Sequence, residues 1–164
     1  MNGAPTLQDL FDTLPQRGTL RWIGLRPGRR EPMSAVDEAV LATDVGLVGD
    51  RYAGSSGTRQ VTLLQYEHVD TIASLLGGPV TAFDLRRNLL VSGINLLALK
   101  NRRFSLGEAV LEHTGACHPC SRMEKTLGAG GYNAVRGHGG ITARVLRGGR
   151  IATGDALAML LEQR

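Results

Sequence analysis

Short apolar runs broken by glycine dominate the pattern. Leu7, Leu10, Phe11 and Leu14 recur at helical spacing and stop at Pro15, which predicts a short amphipathic helix packed on the outside of the fold. Gly18 then opens residues 19–25, a first strand. Residues 35–43 set Val36, Ala39 and Leu41 among acids and predict a second. Gly46 and Gly49 let the chain bend sharply through 46–52, and Gly54-Ser55-Ser56-Gly57 reads as a polar loop. Further strands are expected at 59–64, 89–91, 104–112, 141–146 and 156–161, with a helix at 66–76 ended by Gly77-Gly78-Pro79. Arg147-Gly148-Gly149-Arg150 reads as a hairpin turn whose glycines can take positive φ.

A weak internal echo supports a closed sheet. Leu106-Gly107-Glu108-Ala109 and Thr153-Gly154-Asp155-Ala156 both place glycine and an acid before an apolar run, which suits a bend entering a barrel strand. Many short strands, Gly-rich turns and few helices give a mainly β (α+β) fold class: a β-barrel with a few flanking short helices. No linker divides the chain, so 1–164 is expected to be one domain, with 1–18 as an N-terminal helical extension.

Composition narrows the function. The chain has 164 residues, 42% of them apolar and 21% charged, which is ordinary globular usage. No apolar run approaches the roughly 20 residues of a membrane span. The first 14 residues carry acids and lack a basic cluster before an apolar block, so a signal peptide is not expected and a cytoplasmic location is. The net charge is +4, and Lys100 and Lys125 are the only lysines. The remaining cations are arginines, whose planar fork suits phosphate and carboxylate, although a plain compositional preference for Arg explains the count as well. Scattered basic residues and 4% aromatics argue against nucleic acid as a partner.

The two cysteines lie in one short stretch, Cys117-His118-Pro119-Cys120. Such a pair points to metal, redox or nucleophile chemistry more than to stapling. A structural zinc site needs four ligands, and His68, His113, His118 and His138 show no zinc-finger spacing beside the single Cys pair. A thioredoxin-like pair needs a βαβ context that the surrounding pattern lacks. A single working thiolate, serving a metal-bearing cofactor or carrying sulfur, is the third reading, and two packing cysteines the fourth. Residues 123–127 look helical, so Cys120 falls at or just before a helix start, with Arg122 two residues on.

Arg51, Arg59, Arg86, Arg87 and Asn88 sit at strand ends beside glycines, where a barrel presents ligand sites. They suit an anionic group, or else solvation and salt bridges with Asp50 and Asp84. Gly128-Ala129-Gly130-Gly131 and Gly137-His138-Gly139-Gly140 match no nucleotide fingerprint and read as walls of a site beside the cysteines, or as loop punctuation. His138 is either an acid–base group or a satisfied structural histidine. No Ser/His/Asp triad can be assigned.

Taken in order, Gly49-Asp50-Arg51-Tyr52, Arg59-Gln60-Val61-Thr62-Leu63, Leu85-Arg86-Arg87-Asn88-Leu89-Leu90-Val91, Phe104-Ser105-Leu106-Gly107-Glu108-Ala109, Cys117-His118-Pro119-Cys120 and Gly148-Gly149-Arg150-Ile151 with Gly154-Asp155 resemble the MOSC family, named for the C-terminal domain of molybdenum-cofactor sulfurases. The resemblance runs over about residues 22–160. It implies a β-barrel with flanking helices and a cysteine, here Cys120, that serves the molybdenum cofactor (molybdopterin) as a metal ligand or sulfur carrier. The cofactor's terminal phosphate then gives Arg51, Arg59, Arg86, Arg87, Asn88 and Arg122 a role in binding it. The implied activity is reduction of N-hydroxylated compounds with an external electron-donor protein. The alternatives are a non-catalytic sulfur or cofactor carrier using a Cys120 persulfide and serving a cofactor-receiving enzyme, or a barrel that persists without cofactor. Family members often carry His after Gly-Asp-Arg, where this chain has Tyr52. The pyridoxal-phosphate desulfurase domain of the full sulfurases and the N-terminal barrel extension of the amidoxime-reducing relatives are not in the sequence.

Overall fold

The computed structural model describes residues 3–51 and 56–162. Helix α1 (Leu7–Asp12) leads into strand β1 (Gly18–Leu25), followed by β2 (Ser34–Val36), β3 (Glu38–Ala42), β4 (Gly46–Leu47) and β5 (Val61–Gln65). Helices α2 (Glu67–Leu76) and α3 (Ala82–Leu85) connect β5 to β6 (Leu89–Ser92), and a 3₁₀ turn spans Leu96–Leu99. Strands β7 (Arg103–Leu106) and β8 (Ala109–Ala116), helices α4 (Ser121–Leu127) and α5 (Gly131–Val135), and strands β9 (Ile141–Arg147), β10 (Gly149–Ala152) and β11 (Ala156–Leu160) complete the chain.

The main sheet runs β11-β7-β8-β9-β5-β6-β1-β2, and β11 also pairs with β1. That extra pairing closes seven of the strands into a mixed barrel, with β2 outside the ring. Closure removes the open edges of a sheet. Leu20, Leu63, Leu89, Phe104, Leu111 and Val145 belong to the cluster that fills it. A second cluster holds Leu64, Ile72, Leu85, Leu90, Met123 and Val135, where the helices cover the outer face. Leu63 and Leu64, like Leu89 and Leu90, are consecutive residues that belong to different clusters. Side chains alternate along a strand, so β5 and β6 are buried on both faces. These two strands pair in parallel, Leu63 against Leu89, and are joined by the α2–α3 crossover. Their unbroken apolar character follows from that double burial.

Several sequence expectations need correction. Residues 35–43 form two strands, β2 and β3, which belong to different sheets. Residues 104–112 are a hairpin rather than one strand: Gly107 (φ +54) and Glu108 turn the chain between β7 and β8. Gly148-Gly149 is no hairpin turn, because β10 pairs with β3 while β9 pairs with β5 and β8. Neither glycine has positive φ. They permit close approach instead: a Cβ on Gly148 would meet the Leu41 carbonyl oxygen at 2.6 Å, and one on Gly149 the Glu108 Cβ at 2.6 Å. Helix α5 arises within the glycine-rich stretch read as loop. Helix α1 forms, capped by Thr6 and Asp9, but does not pack its apolar face: Leu7, Leu10 and Phe11 are all exposed. An ion pair from Arg102 to Asp12 (2.5 Å) ties it to the barrel. The echo holds, with Gly107 and Gly154 (φ +95) each turning the chain into a barrel strand, β8 and β11.

Gly140 shows how tightly the barrel wall is built. Its φ is +87°, and a Cβ there would collide with the Leu63 carbonyl. Gly137 has a similar φ of +80° but open space around it. Gly137→Ala is therefore expected to cost about 1 kcal/mol, the left-handed penalty alone. Gly140→Ala adds a backbone clash and is expected to cost about 3 kcal/mol or more in chemical denaturation.

Candidate functional site: a cysteine segment and two cavities

Strand β8 ends at Ala116, and the chain then crosses toward α4 through Cys117-His118-Pro119-Cys120. The two thiols have different settings. Cys117 is buried and its backbone N–H donates to the Gly140 carbonyl (2.9 Å). Cys120 is exposed, with a free thiol, and stands at the N-cap of α4. That thiol makes no capping hydrogen bond. Helix α4 is fixed in turn through Glu124, whose carboxylate accepts the backbone N–H groups of Gly130 and Tyr132 (2.8 Å each) at the start of α5. Those bonds hold the Glu124 carboxyl below its usual range.

Arg87 fastens the segment. Its buried guanidinium donates from Nε to the Gly139 carbonyl (2.9 Å), from Nη1 to Leu85 (3.0 Å) and from Nη2 to Cys117 (3.2 Å). Three stretches of chain thus meet on one side chain, and no carboxylate among the described residues pairs with it. Asn88, the next residue, is also fully buried. Its Oδ1 accepts from the Thr62 backbone and hydroxyl (3.1 Å each), and its Nδ2 donates to the Gly24 carbonyl (3.2 Å) and Asp50 Oδ1 (3.0 Å). Asp50 in turn accepts Nε and Nη2 of Arg26 at 3.1 and 2.9 Å. The Gly-Asp-Arg and Arg-Arg-Asn motifs, far apart in sequence, are therefore joined through Asp50 and Asn88.

Arg86 differs from both neighbours. It is a non-glycine residue at positive φ (+55°), the left-handed C-cap of α3. Its Nη1 donates to the Glu31 carbonyl (2.8 Å). Burial, then the charges of Arg122 and Arg26, push its guanidinium below the ordinary arginine value, with Asp50 opposing. Arg86, Arg122 and Arg30 line a cleft of about 390 Å³ together with Met33, Phe83 and Asp84. Asp84 already accepts the Thr81 N–H and hydroxyl at the start of α3.

A second cavity has a volume of about 600 Å³. Cys117, His118 and Pro119 form part of its wall, with Gly137, Gly139 and Gly140, whereas residues 128–131 do not line it. His68, Lys100 and His113 also line it. Cys120 is in the wall of neither cavity. His68 stacks edge-to-face on His138 at 4.9 Å between ring centres. His138 Nδ1 is buried without a hydrogen-bond partner. Burial, then His138, hold the His68 ring below its ordinary value, with Glu67 opposing. Burial likewise lowers His113, reinforced by Lys100 and opposed by a hydrogen bond to backbone.

The structure thus brings Arg86 and Arg122 together in the cleft beside the helix that Cys120 opens, and buries Arg87 against the cysteine segment and Asn88 against Gly24, Asp50 and Thr62. Arg51 and Arg59 are exposed and line neither cavity. Tyr52 and the Gly54-Ser55 part of the expected loop lie outside the described residues. Arg26 and Arg30 were not singled out by sequence. Arg26 had no signal beyond standing at the end of a predicted strand, and Arg30 none beyond a Pro/Gly loop. Among the described residues, no three His, Cys, Asp or Glu side chains gather to hold a metal.

This arrangement is a barrel with an exposed thiol at the start of a helix that lines a basic cleft. Residues 43–158 match the MOSC domain. The chain belongs to the MOSC domain family. Among solved structures, the chain is similar to the YuaD protein from Bacillus subtilis, with a TM-score of 0.74 and 21% identity, covering 87% of this chain and 95% of that one. YiiM from Geobacillus stearothermophilus gives 0.73 and 16%, covering 88% and 75%. YiiM from Escherichia coli gives 0.66 and 18%, covering 88% and 71%. At such identities the likeness is one of fold. A search of the curated proteins finds no match.

Two outcomes are expected from this geometry. Alkylation should modify Cys120 quickly and Cys117 slowly. Arg87→Met, which strands three buried carbonyls, should cost about 3 kcal/mol and raise the Cys117 rate toward that of Cys120, read by mass spectrometry. The lowered His68 and His113 rings give a pH dependence of known sign. The unfolded chain takes up protons near 6.5 that the folded one refuses, so stability is full above that value and falls as pH drops toward the lowered folded values. Thermal midpoints should fall from about pH 7 to about pH 5, and His113→Gln should flatten part of that slope.

Proposed function

We propose that this protein binds the molybdenum cofactor, with the Cys120 thiolate as a ligand to molybdenum, and reduces N-hydroxylated compounds. The observation that carries the reading is the separation of the two thiols: Cys117 is buried and tied to Gly140, while Cys120 is free and exposed at the start of α4, the helix whose Arg122 and Thr126 line the arginine cleft. The residues present fit such a group. A soft, exposed thiolate is a suitable molybdenum ligand. Arg86 and Arg122 line the cleft together, and burial followed by the Arg122 charge disfavours the Arg86 cation, a cost that a bound phosphate would offset. A cleft of about 390 Å³ falls within the range of small-molecule sites, roughly 300–1,000 Å³.

In this reading Arg86 and Arg122, with Arg30 at the rim, neutralise the cofactor's phosphate, while Arg51 and Arg59 contribute from the flanks of segment 52–55. Arg87 and Asn88 act on the frame: Arg87 sets the backbone that leads to Cys120, and Asn88 ties Asp50 to Thr62. Bound there, the cofactor supplies two-electron redox chemistry. The overall change is R–NH–OH plus two electrons and two protons giving R–NH₂ and water, with the electrons drawn from an external donor protein. The exposure of Cys120, outside both cavity walls, supports a second reading, in which it carries sulfur as a persulfide or hands cofactor to a receiving enzyme.

The test is to purify the full chain from cells that make the cofactor and measure molybdenum and pterin. Near-stoichiometric loading is expected in the wild type. Cys120→Ala should lose the metal, and Arg86→Ala with Arg122→Ala should lower pterin content at least about tenfold. Loading unchanged by Cys120→Ala removes Cys120 as the ligand. Absence of cofactor with a persulfide on Cys120 selects the carrier.

A further inference from the structure

The larger cavity has a chemistry of its own. It is about 600 Å³ and draws its wall from separate stretches: β5 and α2, the 3₁₀ turn with Lys100 and Asn101, the end of β8, the cysteine segment and the glycine loop. Among the described residues, no aspartate or glutamate lines it. Lys100 does, and it makes no ion pair among the described residues. His113 stands near enough to feel the Lys100 charge. The His113 Nδ1 accepts the Asn101 backbone N–H at 3.2 Å. An imidazole whose Nδ1 is an acceptor carries its proton on Nε2, so this ring offers a donor. His68 and His118 add further ring nitrogens. The remaining wall includes Leu97, Pro119 and Ile141, apolar surfaces suited to the body of an organic ligand.

We propose that this cavity is a binding site for a small organic anion, with Lys100 and His113 holding the anionic group and Leu97 and Ile141 contacting a planar or aliphatic body. It is separate from the arginine cleft, since the two share no lining residue. The binding itself does not depend on the molybdenum reading. Only its use as a substrate site rests on that reading, and there it selects N-hydroxylated compounds that also carry an anionic group such as a carboxylate over those that carry a cationic one such as an amine. The reason is electrostatic: a wall with a lysine and no carboxylate rejects a cation, because nothing neutralises it and Lys100 repels it.

Benzoate and benzamidine test the claim, being the same ring with opposite charge. Each is titrated into the full-length protein at low ionic strength and pH 7.5, followed by calorimetry and by backbone amide shifts. The expected result is that benzoate binds and moves the amides of Lys100, His113 and Gly139, whereas benzamidine does not. Lys100→Met should weaken benzoate about fivefold or more, as loss of a partly solvated charge contact does. Lys125→Met, at an exposed site outside both cavities, should leave it unchanged. Equal or tighter binding of benzamidine overturns the proposal, as does failure of benzoate to bind at millimolar concentration. So does benzoate binding that is lost in Arg86→Ala with Arg122→Ala but kept in Lys100→Met, because the anion is then held by the arginine cleft. A protein that holds no molybdenum yet binds benzoate through Lys100 loses the cofactor reading and keeps this one.

Discussion

The contact on which the site depends is the Arg87 guanidinium. A buried arginine without a carboxylate is costly unless its donors are met. Here three are met by carbonyls of Leu85, Cys117 and Gly139, each at 2.9–3.2 Å. The fork is planar and pre-organised, so it fixes the relative position of three loops at once, which a lysine with its single ammonium cannot do in the same way. Gly139 must stay free of a side chain for this to work, because a Cβ there would run into the Cys117 carbonyl and lie 3.1 Å from Arg87 Nη2. The glycine loop and the arginine are two halves of one constraint on the cysteine segment.

The three consecutive residues of the Arg-Arg-Asn motif do three separate jobs. Arg86 leaves α3 at positive φ and lines the basic cleft. Arg87 reaches the cysteine and glycine loops. Asn88 reaches the other way, to Gly24, Thr62 and Asp50. Opposite side-chain directions at successive positions are what an extended chain entering a strand provides. The rigid, doubly buried β5–β6 pair anchors the far end of that motif. The exposed Cys120 thiol is therefore carried on α4, which packs through Met123 on the same outer cluster as Leu64 and Leu90.

Much of this was legible in the sequence, and the failures have physical causes. Strands β1, β5, β6, β9 and β11 and helix α2 announce themselves by apolar runs between glycines. The β7–β8 hairpin hid because Phe104, Leu106, Ala109 and Leu111 are all buried and read as one run. The slip of one residue between Leu106 and Ala109 was the signal, since strict alternation would have put an apolar side chain at Glu108. Gly148-Gly149 misled because paired glycines suit a turn and close approach equally well. Helix α1 shows that helical spacing predicts an element but not its partner. At the site, the different fates of the two cysteines turn on which one the loop buries, and sequence separated them by the helix start at Cys120 and by its match to the family's cysteine. The larger cavity was invisible because its wall is assembled from distant segments.

The arginine excess, which composition left open between ligand binding and simple preference, now divides by residue. Arg26 pairs with buried Asp50, Arg102 with Asp12, Arg144 with Glu112 and Arg150 with Glu38. Arg87 is committed to backbone. What remains around the cysteine helix is Arg30, Arg86 and Arg122, which line one cleft and form no ion pair among the described residues. Against that background Lys100 stands out. In a chain that uses arginine nearly everywhere, one of its two lysines lies in the wall of the cavity that lacks carboxylates. An ammonium is a compact, freely pivoting charge on a flexible stem, whereas a guanidinium is a broad plate that favours fixed planar partners. The arginine cleft suits a group that is held in one place, and the lysine-lined cavity suits a small anion that enters and leaves.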